Sequence, residues 1–159
     1  MTIKLDAYDR ILLAAIQQDA RTAQSELGER ANLSTAAVNR RLKLLAGAGV
    51  IERYTARLNP KALGYPLTII VEVAVENERA DLLQEMQRSF KACPQVQQCY
   101  YVAGECDFVL VFLVRDMEQY VALTHTLFHD NDNVKAFKTL VAMDRVKYGM
   151  DVPVDGPPR

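Results

Sequence analysis

The sequence has no tryptophan, two histidines and three cysteines, and no apolar run that approaches the ~20 residues of a membrane-spanning helix. Its start, MTIKLDAYDR, lacks the pattern of a secretory signal. The cysteines are odd in number and spaced Cys93-x5-Cys99-x6-Cys106, which matches no zinc ligand set. These absences predict free thiols in a reducing cytoplasm, no membrane insertion and no metal centre. No GxGxxG or GxxxxGKS/T is present, so GAG at 47–49 reads as a helix stop rather than a phosphate loop. His125 and His129 sit four apart on one helix face, as a metal pair could, but the Glu of HExxH is missing and Asp130 and Asp132 suit a helix end. The residues fit a solvated or interface helix better. No Ser/His/Asp or Cys/His arrangement has a supporting context, so an enzyme is not expected and no cofactor is implied.

What is present is a core and an uneven charge. Half of the 159 residues are apolar, enough for one large or two small domains. The net charge of -1 hides a contrast: residues 1–58 hold nine Lys/Arg against six Asp/Glu, and the remainder hold ten against fourteen. A basic front and an acidic back predict two units with different partners, one of them nucleic acid.

In the front, Asp6 caps a first helix to about Asp19, with Tyr8, Leu12, Ala15 and Ile16 on one face. Thr22 is expected to cap a short second helix through about Ala31. Ser34 caps a third, STAAVNRRLKLLAG, whose Val38, Leu42 and Leu45 form a buried stripe. Gly47 and Gly49 end it, and VIERYTARL reads as a two-stranded wing. Residues 1–58 thus form a winged helix-turn-helix, followed by a Pro- and Gly-bearing linker at 59–66. From 67 to 150 the order is strand LTIIVEVAVE, helix ERADLLQEMQRSFKAC, strand VQQCYYVA, strand DFVLVFLVR, helix DMEQYVALTHTLFHD and strand VKAFKTLVAMDRVKY. That β-α-β-β-α-β order is ferredoxin-like, so the fold class is α+β. Residues 151–159 read as an irregular tail.

The strands are apolar on both sides: Phe108, Leu110 and Phe112 point one way, Val109, Val111 and Leu113 the other. One layer of helices covers only one side. The other side predicts a homodimer through the sheet.

The second and third helices, joined by ANL, have helix-turn-helix spacing. The entering end, STAA, is slim, with Ser34, Thr35 and Ala36, and Asn39 adds a base-reading amide. Arg40 and Lys43 suit phosphates, as does Arg53 on the wing, with Arg57 a further wing candidate. Arg41 lies near the buried stripe, where a tether to a carboxylate competes with a phosphate contact. A plain helical domain with a solvated basic face is the alternative, as is a metabolite-binding protein whose helical front only dimerises. A third is an interaction adaptor that uses the wing.

LSTAAVNRRLKLLAGAGVI resembles the recognition-helix segment of the Lrp/AsnC (feast/famine) transcriptional regulators. YTARLNPKALGY resembles their wing and linker, VAGECDFVLVFLVRDMEQY their glycine-acidic-x-Asp hairpin, and KTLVAMDRVKY their last strand. The resemblance runs from Leu5 to about Lys147. It implies a DNA-binding regulator whose dimers assemble further, to an octamer or similar ring, and whose effector is an amino acid. It places Gly104, Glu105, Cys106 and Asp107 at the effector, with Thr139 as a further contact. The chemistry suits them: Asp107 accepts from an ammonium, and Gly104 lets backbone N–H groups approach a carboxylate. The residues alone favour a tight acidic hairpin with no ligand, and the resemblance reverses that preference. Cys106 departs from the aromatic residue more usual there, which leaves room for a bulkier effector, weakens a stacking contact or adds a reactive thiol.

Overall fold

The computed structural model describes residues 4–154 and divides into two units. One holds the described residues up to Arg57 together with those from Gly149 onward; the other is Leu58–Tyr148.

The first unit contains α1 (Ala7–Gln18), α2 (Gln24–Ala31) and α3 (Thr35–Gly47). Asp6 caps α1 in a capping box: Asp9 N donates to the Asp6 carboxylate, and Asp6 N to that of Asp9. Leu12, Leu13, Ala15 and Ile16 meet Leu27, Ala31, Val38 and Leu45 in the core. Tyr8, expected on the buried face, is instead exposed and lies under the Arg41 guanidinium, 5.3 Å from ring centroid to Cζ. Thr22 does not cap α2; its hydroxyl donates to Asp19 O, and α2 begins after Ala23 without a side-chain cap. Ser34 does cap α3, its Oγ accepting from Ala37 N at 3.2 Å. The expected wing is not a paired hairpin: residues 52–58 carry no strand within the chain. Tyr54 and Leu58 in this stretch are exposed, and a lone two-stranded ribbon without packing is marginal.

In the second unit a 3-10 turn (Lys61–Leu63) leads into β1 (Leu67–Val75), followed by α4 (Ala80–Ala92), β2 (Val96–Tyr101), β3 (Phe108–Val114), α5 (Met117–Thr124) and β4 (Val134–Val141). All neighbours are antiparallel, in the order β2-β3-β1-β4. The last strand is shorter than the sequence suggested and ends at Val141, not near Tyr148. A π-helical turn, His125–His129, extends α5 and sends adjacent Leu127 and Phe128 into the core.

Ile69, Val71 and Val73 of β1 and Phe108, Leu110 and Phe112 of β3 are fully buried against Leu83, Met86 and Phe90 of α4 and against Tyr120, Leu127 and Phe128. Phe90, Phe112 and Phe128 meet edge to face, with centroids 6.2 and 6.3 Å apart for the Phe128 pairs. The opposite face carries Leu140, Ile70, Val111 and Gln98 in one cross-strand row, and Lys138, Glu72, Val109 and Tyr100 in the next. Ile70, Val109, Val111 and Leu113 are only half-buried. The alternation is therefore real, with an apolar face covered by helices and an uncovered face that mixes Ile70, Val109, Val111 and Leu140 with Gln98 and the Lys138–Glu72 ion pair.

Candidate nucleic-acid interface and effector hairpin

The α2–α3 turn is built by close backbone approach. Leu33 N donates to Gly28 O at 2.8 Å, and Asn32 takes the left-handed conformation at φ 51 to end α2. A Cβ on Gly28 would lie 2.5 Å from Leu33 O, so any larger residue pushes the turn open. Nothing in the sequence reading singled out Gly28, although a lone glycine inside a helical pattern was a usable signal.

Arg41 fixes α3 against α1. Its Nη1 donates to Asp6 Oδ2 and Asp9 Oδ1, both at 2.8 Å. The bond to Asp9 is the main reason its pKa rises, with burial opposing. The Asp6 carboxyl is held below its ordinary value, first by the Asp9 backbone N–H and also by Arg41, again against burial. Of the two readings of Arg41, the structure supports the tether.

With Arg41 turned inward, the outer face of α3 is open. Thr35, Ala36, Arg40 and Lys43 are exposed and Asn39 is half-buried. Ala36, Asn39, Arg40, Lys43 and Leu44 line one shallow depression of about 480 Å³. Ser34, just before α3, is exposed and its Oγ is engaged as a cap. Arg53 is exposed, in the stretch after α3. Among the described residues, Arg40, Lys43 and Arg53 form no ion pair.

The hairpin between β2 and β3 is closed by Val102 N donating to Asp107 O at 2.8 Å. Asp107 also reaches sideways. Its N donates to Val73 O at 2.9 Å, and its Oδ2 accepts from Val75 N at 2.7 Å. The carboxylate thus stands in for a ladder partner where β1 outruns β3 and is bulged against β4. This gives Asp107 a structural task that the sequence reading did not foresee. A carboxylate has about four acceptor positions, so one such bond orients the group without filling it. Gly104 and Glu105 are exposed and Cys106 half-buried. A Cβ on Gly104 would meet nothing within 4 Å in the chain, and its φ is not positive. Neither turn geometry nor packing within one chain requires glycine there.

Thr139 pairs with Val71 on β4, and its Oγ1 is 2.6 Å from the Tyr120 hydroxyl. Tyr120 is buried, and burial raises its pKa. Since β1 lies between β3 and β4, Thr139 is two strand spacings, about 10 Å, from β3. One chain does not gather Thr139 and the hairpin into one contact set. His125 and His129 have ring centroids 4.9 Å apart, and His129 stands edge-on to Phe137. No group of three or more metal-ligating side chains occurs among the described residues.

A helix-turn-helix head with an uncountered basic helix, joined to a four-stranded sheet with an acidic hairpin, can be compared with known proteins. The family model of the Lrp/AsnC ligand binding domain matches residues 68–152, and that of a winged helix-turn-helix DNA-binding domain matches residues 5–52. The chain belongs to the Lrp/AsnC family. It is a transcriptional regulator of that type, with a DNA-binding head and a ligand-binding domain, and not an enzyme. It is 42% identical over 153 residues to an uncharacterized HTH-type transcriptional regulator of Sinorhizobium fredii, covering 96% of this chain and 90% of that one. The leucine-responsive regulatory protein of Escherichia coli is 32% identical over 143 residues, with coverages of 90% and 87%. A Neisseria meningitidis transcriptional regulator solved in complex with L-Met superposes with a TM-score of 0.90 at 26% identity, covering 96% and 98% of the two chains. No helix among the described residues is long and apolar enough to cross a membrane.

Proposed function

We propose that this Lrp/AsnC regulator places α3 in the major groove and changes its DNA binding or assembly when an amino acid binds near the β2–β3 hairpin. Thr35, Ala36 and Asn39 face base edges, Ser34 sets the start of the helix, and Arg40, Lys43 and Arg53 meet phosphates. The observation that carries this reading is the division of labour on α3: Arg41 is neutralised internally while Arg40 and Lys43, on the other side, are not.

Gly104, Glu105, Cys106 and Asp107 form the effector lip. Asp107 takes the ammonium and the hairpin backbone faces the carboxylate. The open space at Gly104 supports this, since a side chain there would occupy what the chain itself leaves empty. Thr139 lies opposite Leu110 across β1, two strand spacings (about 10 Å) from β3 and further still from the hairpin, so it reaches an effector at this hairpin only if a second subunit supplies it. Because Thr139 faces Tyr120 on the helix-covered side, that second subunit comes from the further association of dimers, up to an octamer, and not from across a dimer formed over the uncovered sheet face. Ligand at such a seam biases two arrangements of the heads, which is what coupling requires. The place of action is the cytoplasm, where the DNA is.

Isothermal titration of the full chain with each of the twenty amino acids tests the hairpin. One or a few should bind, and Asp107→Ala should lose at least tenfold in affinity while effector-free DNA binding stays within about twofold. Unchanged ligand affinity in Asp107→Ala would move the site elsewhere.

A further inference from the structure

The described C-terminal residues are part of the DNA-binding head. Gln17, in the last turn of α1, pairs with both backbone groups of Val152: its Nε2 donates to Val152 O at 2.9 Å, and Val152 N donates to its Oε1 at 2.8 Å. A primary amide can satisfy the N–H and C=O of one residue together only when both point to the same side, as in an edge strand. Pro153, next along, has no N–H to leave unsatisfied. Val154 then packs on the head core beside Leu5, Leu33, Leu42 and Ile51. At the other end of the segment, a Cβ on Gly149 would lie 4.0 Å from Arg57 Nη1, at the point where the head's own chain leaves it. Two hydrogen bonds at Val152 and the packing of Val154 hold this segment to the head.

The connectivity gives this docking a consequence. The chain passes between its two units twice, at Arg57–Leu58 and again at Tyr148–Gly149. The second passage follows β4, the strand that carries Thr139, by seven residues, 142–148. We propose that α1 presents a docking site for the chain's own C-terminal segment, and that the docked segment is a second link from β4 to the head. Through it, a shift of β4 reaches the end of α1. The regulatory half of this proposal rests on the reading of the protein as an effector-responsive DNA binder; the docking half does not.

Hydrogen–deuterium exchange of the full-length protein tests the docking. The Val152 amide and the last turn of α1 should be protected, and Gln17→Ala should speed exchange at both at least tenfold while β1 and β3 are unaffected. Gln17→Glu keeps the acceptor and loses the donor, so it should fall between. Equal Val152 exchange in wild type and Gln17→Ala would overturn the proposal. DNA anisotropy with and without a mixture of the twenty amino acids tests the link. Gln17→Ala should keep effector-free affinity within about twofold and lose most of the ligand-dependent change. A full response with the segment released would overturn the link. A wild type that ignores the amino acids while Val152 loses protection in Gln17→Ala would leave the docking standing and fail the effector reading instead.

Discussion

On α3 of the head, Arg41 is matched by Asp6 and Asp9 on the inner side, whereas Arg40 and Lys43 on the outer side form no ion pair among the described residues. In the sheet unit the contrast lies between two faces of the same strands. Phe108, Leu110 and Phe112 are sealed by helices, and Val109, Val111 and Leu113, between them, are not. Each unit is complete on one side and incomplete on the other, and what is missing differs. The outer side of α3 lacks negative charge, which a phosphate backbone would supply. The uncovered sheet face lacks a packing layer, which a second sheet would supply.

The largest expected effect comes from charging the sheet. Val111→Asp sits in the middle of the uncovered face, so a dimer formed there would bury an unpaired carboxylate at about 3–5 kcal/mol. Sedimentation should show a dimer for wild type at micromolar concentration and a monomer for the variant, with unchanged circular dichroism. A wild-type monomer would remove the comparison altogether.

Gly28→Ala comes next. A Cβ 2.5 Å from Leu33 O forces the turn apart, at about 1–3 kcal/mol by analogy with overpacking. Urea unfolding should show the loss, and the displaced α3 should weaken DNA binding as well. Unchanged stability would mean that the turn relaxes freely.

Arg40→Ala and Lys43→Ala should each weaken DNA binding about tenfold across sequences and lower the salt slope by about one. Arg41→Ala should act differently, lowering stability through Asp6 and Asp9. If Arg40 and Arg41 exchanged these signatures, the inner and outer assignment would be reversed.

The smallest effect concerns acid. The folded state holds the Asp6 carboxyl below its ordinary value, so its contribution is present above about pH 4 and is lost as pH falls through the lowered value. Asp6 is half exposed, so solvent screening keeps the term to about 0.5–1 kcal/mol. Asp6→Asn, which keeps a capping side chain, should be less stable than wild type at pH 7 and equal to it at pH 2 in urea titrations. A gap that persists at pH 2 would assign the loss to something other than charge.

How far the sequence could be read follows from the range of the forces involved. Helix caps and strand alternation are local, so Asp6, Ser34 and the two faces of β3 were legible from spacing. The role of Asp107 was only partly so. Its bond to Val75 spans 32 positions and depends on β1 outrunning β3, which no local pattern encodes. Thr139 is a similar case: the sequence gives no sign that Tyr120, nineteen positions earlier, meets its hydroxyl. The unpaired stretch after α3 was misread because an extended, alternating segment looks alike whether or not a partner lies within the same chain. The contact of residues 149–154 with the head was invisible because Gln17 and Val152 are 135 positions apart.

The central claim is that an amino acid, sensed by the sheet unit, alters what α3 does on DNA. Fluorescence anisotropy on DNA from upstream of the protein's own gene, against scrambled DNA, at two salt concentrations and with each amino acid in turn, tests it most directly. The expected result is specific, salt-sensitive binding whose affinity changes with one or a few amino acids. Binding that is equal on both DNAs and indifferent to every amino acid would contradict it.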